Sequence, residues 1–252
     1  MADQFDLVIV GGGPGGYAAA FYGASAGLSV ALVEKDTIGG TCLNRGCIPA
    51  KAFLETAAAR RHAEHANEFG IATVVGDTNF ATAQARKQKI VDGLVKGLTG
   101  LVKVKKVTYL LGVGSLNADN SVTVTATDGA VSRISGRNVV LAAGSVPRTF
   151  PGFEPGGPIM TSDEVLMLDR IPQRIAVIGG GAIGCEFAST FADLGAQVTI
   201  LEGLPKILPG LDADLANVVV RSFQKKKIDI KTGVAVKSHT PTGSGSTVVQ
   251  FG

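Results

Sequence analysis

The chain has 252 residues, 45% of them hydrophobic and 18% charged, with 34 glycines and three cysteines. That composition is globular and long enough for one large domain or two ordinary ones. A formal net charge of only +3 excludes the electrostatic footprint of a nucleic-acid binder, so the lysines at 103, 105 and 106 and at 225–227 read as solvated faces.

Residues 1–6 carry no basic stretch, and the apolar run at 7–10 is too short for a signal segment or a membrane span. Three cysteines do not make a disulfide scaffold. The expected setting is therefore cytoplasmic, where two neighbouring cysteines read as catalytic.

The first element is a strand, Leu7-Val8-Ile9-Val10, running into Gly11-Gly12-Gly13-Pro14-Gly15-Gly16. In Gly11-x-Gly13-x-x-Gly16 the first glycine allows a tight turn and the second lets backbone approach a pyrophosphate. The third lets helix pack on strand, and the helix N-terminus holds the phosphate charge. A second strand at 30–33 ends in Glu34 and Lys35. Glu34 is placed to take both hydroxyls of an unphosphorylated ribose.

Residues 48–68 and 80–101 read as helices, the second with apolar residues at helical spacing despite Gly93, Gly97 and Gly100. Residues 107–111 read as a strand. Segments 121–127 and 130–134 alternate around Asp128-Gly129, a hairpin signal. Residues 138–143 read as a buried strand, and the Pro- and Gly-rich stretch 146–158 as a connection between domains.

Then the opening unit returns. Ile175-Ala176-Val177-Ile178 leads into Gly179-Gly180-Gly181-Ala182-Ile183-Gly184, and a strand at 198–201 ends in Glu202. The acid follows the first glycine at the same distance in both units. With Gly203 and Leu204 after it and no nearby arginine, Glu202 favours NAD over NADP. The expected fold class is α/β, with two Rossmann-like dinucleotide-binding domains in tandem. The first spans 1–150, with a β-meander insertion at about 107–137, and the second spans 151–252.

The chemistry-bearing segment is Gly39-Gly40-Thr41-Cys42-Leu43-Asn44-Arg45-Gly46-Cys47-Ile48-Pro49-Ala50-Lys51. Cysteines five apart lie too far from each other on a regular helix for a disulfide, so a redox pair here requires a distorted turn entering a helix. Cys47 would then sit near a helix N-terminus, with Lys51 one turn on, and both lower a thiol pKa. One cysteine becomes a poised thiolate and the other exchanges with substrate. Cys185, inside the second loop's helix, reads as a small buried hydrophobe. Glu186 alone reads as a solvent-facing helix glutamate. His62, His65 and His239 read as surface residues and supply no base.

These residues resemble the flavin-dependent pyridine nucleotide–disulfide oxidoreductases, most closely the members that oxidise dihydrolipoamide. The match includes the first glycine loop with Glu34, the GGTCLN-x-GC-x-P-x-K motif, and Gly112-Val113-Gly114. It continues through Ala142-Ala143-Gly144-Ser145, Pro147-Arg148 and Pro151-Gly152 to the second loop with Glu202. The resemblance implies FAD on Gly11, Gly13, Pro14, Gly16, Glu34 and Lys35, with Gly40, Thr41, Lys51, Gly114, Ala143, Gly144 and Ser145 along its path. It implies NAD on Gly179, Gly180, Gly181, Ala182, Ile183, Gly184 and Glu202. Cys47 would face the flavin as the charge-transfer thiol and Cys42 would be the interchange thiol. Lys51 would lie near flavin N5, paired with Glu186. No metal is implied.

The implied partners are the lipoyl domain of a 2-oxoacid dehydrogenase or glycine cleavage complex and, as in the family, a second copy of the chain. Arg45 and Ala50 stand where many members have valine and serine. The resemblance covers about the first half of a typical member, without the C-terminal interface domain and its His–Glu base. The fold expectation is accordingly a truncated one, and the chain alone is expected to have little lipoamide activity. A mercuric reductase or another flavin disulfide reductase, and a non-catalytic flavin-binding module, stay open as alternatives.

Overall fold

The structure, a computed structural model, describes residues 3–243 and 245–252. The chain forms two compact units, Met1–Pro49 with Gln88–Val146, and Ala50–Lys87 with Pro147–Gly252. A single cut at 150 would put residues 50–87 in the first domain, yet they pack with the second unit. The cause is apolar: Ala50, Phe53, Ala57, Phe80 and Ala83 share one buried cluster with Leu166 and Leu194.

The first unit is built on β1 (Asp3–Val10), α1 (Pro14–Ser25) and β2 (Val30–Glu34). It also holds α2 (Gly40–Arg45), the start of α3 (Cys47–His65) and the end of α4 (Phe80–Val104). Then come β3 (Thr108–Leu111), β4 (Val113–Leu116), β5 (Ser121–Thr125) and β6 (Val131–Leu141). They make one six-stranded sheet in the order β3-β2-β1-β6-β5-β4. β1 lies parallel to β2 and to β6, with Val8 opposite Ala31 on one side and Val139 on the other.

β2 is buried along its whole length, as a strand covered on both faces must be. One face packs Ile9, Val30 and Leu32 with Val91, Leu98 and Val102 of α4. The other packs Val8, Val10, Ala31 and Val33 with Val122, Val124 and Ile134. The glycines of α4 point to open space, so they weaken no contact and the helix runs on.

The hairpin signal at Asp128-Gly129 closes β5 on β6, with Thr125 opposite Val131 and Gly129 at φ 86°. β6 then continues to Leu141, merging two segments that read separately in the sequence. Its far end is less buried than expected, with Leu141 60% exposed. β5 pairs only as far as Ser135, so among the described residues the upper half of β6 has one open edge.

The second unit takes the rest of α3, a 3₁₀ turn at Ala66–Phe69, the start of α4, and α5 (Ser162–Val165). It continues with β7 (Arg174–Ile178), α6 (Ala182–Asp193), β8 (Gln197–Glu202), α7 (Ala213–Lys225) and β9 (Asp229–Thr232). β7, β8 and β9 form a parallel three-stranded sheet, and β10 (Val236–Pro241) and β11 (Thr247–Phe251) an antiparallel pair. Its core is Ala188, Phe191, Val198, Ile200, Ile207, Phe223 and Ile228. The helix expected at 48–68 is α3 with its 3₁₀ extension. Among the described residues no helix is long and apolar enough to cross a membrane.

Candidate redox and nucleotide sites

The two glycine loops adopt the same backbone. Gly11 has φ 107° and Gly179 φ 103°, both in the left-handed region that favours glycine. A Cβ on Gly16 would lie 1.7 Å from the Gly11 carbonyl oxygen, and one on Gly184 would lie 2.1 Å from that of Gly179. The third glycine in each loop is thus required by the loop's own first carbonyl as well as by helix packing. Neither α1 nor α6 has a side-chain cap at its N-terminus. Their first-turn N–H groups are the unpaired donors a pyrophosphate needs.

The acids are held alike. Glu34 Oε2 accepts from Gly12 N at 2.6 Å and Oε1 from Asp36 N at 2.9 Å. Glu202 Oε2 accepts from Gly180 N at 2.6 Å and Oε1 from Leu204 N at 2.8 Å. Each carboxylate is therefore held beside its own loop by the backbone. Burial and the carboxylates of Glu34 and Asp36 push the Tyr109 hydroxyl above its ordinary pKa. These loops fit nucleotides with an unphosphorylated adenosine ribose.

The disulfide segment is mounted on the first loop. Gly39 N donates to Gly12 O at 2.8 Å, and a Cβ on Gly40 would come within 2.6 Å of Gly13 Cα. Asn44 Nδ2 donates to the carbonyls of Thr37, Ile38 and Gly40 at 3.1–3.2 Å, so it fastens the turn to α2. Arg45 pairs with Asp36 at 2.7 Å. Asn44 thus sits in the distorted turn that it, Gly46 and Pro49 suit by sequence; nothing in the sequence marks Asp36.

The chain breaks at Gly46 (φ −145°, ψ −110°), and Cys47 is the first residue of α3. The Cys42–Cys47 disulfide is formed, with Cα atoms 4.6 Å apart. This is the distorted turn entering a helix that the spacing demanded. A Cβ on Gly46 would meet Thr41 O at 2.9 Å and Cys42 Cα at 3.3 Å. Cys47 is exposed and Cys42 half-buried.

Lys51 and Glu186 both belong to the second unit. Lys51 Nζ donates to Glu186 Oε1 at 2.5 Å, so Glu186 is paired rather than free in solvent. Gly114 lies in β4 over Val10 and Val33. Ala143, Gly144 and Ser145 follow the end of β6 outside regular structure, with Gly144 at φ 77°. Lys35 and Thr41 are exposed, as are Gly181, Ala182 and Ile183 at the start of α6.

Cys185 is buried, its Sγ facing Gly180 O at 3.4 Å. Burial, and then the Glu202 charge, push its thiol up to about 11, so it is a packing residue and no nucleophile. His62 and His65 are exposed, and His65 pairs with Glu68. His239 is half-buried and pairs with Thr247. Among the described residues no group of His, Cys, Asp and Glu could hold a metal.

The family model for pyridine nucleotide-disulphide oxidoreductases matches residues 5–251. A dihydrolipoyl dehydrogenase of Chlamydia pneumoniae is 40% identical over 94% of this chain and 51% of its own length. One from Bacillus subtilis is 40% identical over 96% of this chain and 53% of its own. The crystal structure of LpdA from Mycobacterium tuberculosis superposes with a TM-score of 0.90 at 28% identity, covering 99% of this chain and 55% of that one. The flavoprotein disulfide reductase RclA of Escherichia coli, in its Cu(II) complex, gives 0.82 at 27% identity, covering 98% and 55%. The chain thus spans about half the length of the curated relatives it matches. FAD and NAD(H) are the cofactors that go with this membership. With a formed cysteine disulfide, two nucleotide loops and a family match across nearly all its residues, the chain belongs to the pyridine nucleotide-disulphide oxidoreductases.

Proposed function

We propose that this chain carries the disulfide, FAD and NAD sites of a dihydrolipoyl dehydrogenase. The carrying observation is the Cys42–Cys47 disulfide at the N-terminus of α3, on a segment fastened to the first nucleotide loop. The first unit takes FAD on Gly11, Gly13, Gly16 and Glu34, and the second takes NAD on Gly179, Gly181, Gly184 and Glu202. FAD there supplies a two-electron acceptor for a thiol pair and a hydride donor for nicotinamide.

The residues divide the work as follows. A thiolate of dihydrolipoamide attacks Cys42 Sγ, and the Cys42–Cys47 bond breaks to leave Cys47 as thiolate. The substrate's second thiol then attacks its own sulfur in the mixed disulfide. That step releases Cys42 and closes the lipoamide disulfide. The electron pair gained by the two cysteines ends on NAD as a hydride, and one proton is released to solvent. Cys47 is the better leaving group because it opens α3, where helix-terminal N–H groups stabilise its negative charge. Lys51, paired with Glu186, places a cation one turn further along the same helix. The protein is proposed to serve the lipoyl domain of a 2-oxoacid dehydrogenase or glycine cleavage complex, as a homodimer in the cytoplasm.

The test is reduction of the FAD-loaded full-length protein by dihydrolipoamide without oxygen, beside Cys42→Ser and Cys47→Ser. Wild type should develop long-wavelength charge-transfer absorbance and reduce NAD. Cys42→Ser should keep that absorbance yet lose turnover, and Cys47→Ser should lose both. Undiminished turnover in either variant would overturn the assignment.

A further inference from the structure

Helices α3 and α6 are tied together at two levels inside the second unit. Lys51 bonds Glu186 near the start of each helix. Arg61 pairs with Asp193 near their ends. Between the two rungs, Phe53 and Ala57 of α3 share a cluster with Phe187 of α6, and Ala50 and Leu194 extend it just outside them. The rungs stand about 15 Å apart along α3 and about 10 Å apart along α6.

They differ in character. In the first rung the side chains are 56% and 34% exposed, and an ion pair that open holds its partners weakly. In the second, the Asp193 side chain is only 7% exposed. Its carboxylate also takes Lys226 Nζ at 2.7 Å, and the same ammonium donates to Ser189 Oγ at 2.7 Å. A carboxylate buried between two cations resists losing either one, because the remainder is left imperfectly compensated away from water.

We propose that Arg61 is a positioning residue: through Asp193 it fixes the register of α3 on α6 and so keeps the Lys51 ammonium on Glu186. The weak, functional pair is then maintained by the strong, remote one. This rests on the proposed function only in giving Lys51 its task as the cation one turn beyond Cys47. The contact itself needs no cofactor.

The experiment is brief acetylation of the folded full-length protein by acetic anhydride, read lysine by lysine by mass spectrometry. Lys105, which donates to Ser25 in the first unit, is the internal reference. Glu186→Gln and Arg61→Met should both raise Lys51 labelling, by up to about fivefold for release from an exposed pair. Arg61→Lys should restore protection. Lys226→Met also strips one cation from Asp193 but leaves α3 its own, so Lys51 should stay as in wild type. Arg61→Met keeps Lys226 on Asp193 and should fold. If it aggregates, Arg61→Gln takes its place with the same expectation. Wild-type labelling in Arg61→Met beside raised labelling in Glu186→Gln would overturn the proposal. So would a rise in Lys226→Met equal to that in Arg61→Met, which marks general loosening, or no rise in Glu186→Gln. If instead labelling follows the expected order while Lys51→Met leaves the reduced flavoprotein's long-wavelength absorbance intact, the clamp stands and the role of Lys51 fails.

Discussion

Replacing each loop acid by its amide turns the internal repeat into a controlled comparison. In Glu34→Gln one carboxylate oxygen becomes an NH₂, and it must face either Gly12 N–H or Asp36 N–H, two donors now satisfied at 2.6 and 2.9 Å. A hydrogen bond to a charged acceptor contributes about 1.5–3 kcal/mol net. Glu34 is 8% exposed, so water does not replace the lost partner, and the expected destabilisation is about 2 kcal/mol. Glu202 makes the matching bonds at 2.6 and 2.8 Å but is half-buried, and Leu204 is an exposed residue. There water takes over part of the loss, and about 1 kcal/mol is expected. In a chain of this size each kcal/mol moves Tm by about 2–4 °C. Urea melts of the three proteins measure the stability order. Flavin retained through gel filtration and NAD titration measure the ligands. Glu34→Gln should shed FAD with NAD binding kept, and Glu202→Gln the reverse. Equal stability losses would refute the burial argument, and flavin lost from Glu202→Gln alone would refute the assignment of the loops.

Gly46→Ala should hinder closure of the disulfide, because the new Cβ meets Thr41 O at 2.9 Å, an overlap costing about 1–3 kcal/mol. Thiol titration of the oxidised protein should then find two further reactive cysteines. Cys185 should resist iodoacetamide at pH 8 in the native protein and react only on unfolding, since its thiol is pushed up to about 11. Gly97→Ala should raise stability by about 0.5–1 kcal/mol, as this glycine lies inside α4 with nothing within 4 Å of its Cβ position. Asp6, Asp119 and Glu164 are held below the usual carboxylate range, chiefly by hydrogen bonds from Ser29, Ser121 and Thr161 respectively. A lowered folded pKa gives stability that is present above the unfolded value near 4 and lost as pH falls through the folded one. Tm should therefore stay level from pH 7 to about 5 and fall below about 4. A Tm unchanged at pH 3 would contradict these bonds.

What the sequence disclosed was whatever repeats or is local. The glycine loops, their acids and the hairpin at Gly129 are written in neighbouring residues, and so was the bend at Cys47. The helical period of α4 survived its glycines because they fall on the open face. The allocation of residues 50–87 was not legible, because it depends on Phe53 and Phe80 meeting Leu166 and Leu194, a contact that no local pattern announces. For the same reason Glu186 reads by local pattern as a solvent-facing glutamate, and only the family resemblance puts Lys51 on it; the Arg61–Asp193 pair leaves no trace at all. The end of β6 reads as buried and is not, because a run of Val139, Val140 and Leu141 carries no record of whether a strand covers its second edge.

The likeness of the two loops has a limit with a practical meaning. The carbonyl of Gly12 accepts from Gly39 N, and that of Gly180 from Leu208 N, both at 2.8 Å. The same floor is therefore faced by different walls. In the first unit the wall is Gly39-Gly40, bare of side chains; in the second it is Ile207-Leu208, and a Cβ on Gly180 would strike Ile207 at 2.6 Å. Floor and acid are alike in the two units, so they carry nothing that would sort one dinucleotide from another. Under the proposed assignment of FAD to the first loop and NAD to the second, sorting would fall to the walls, and an engineer wishing to exchange the two specificities would leave the glycines untouched and trade residues 39–40 for 207–208.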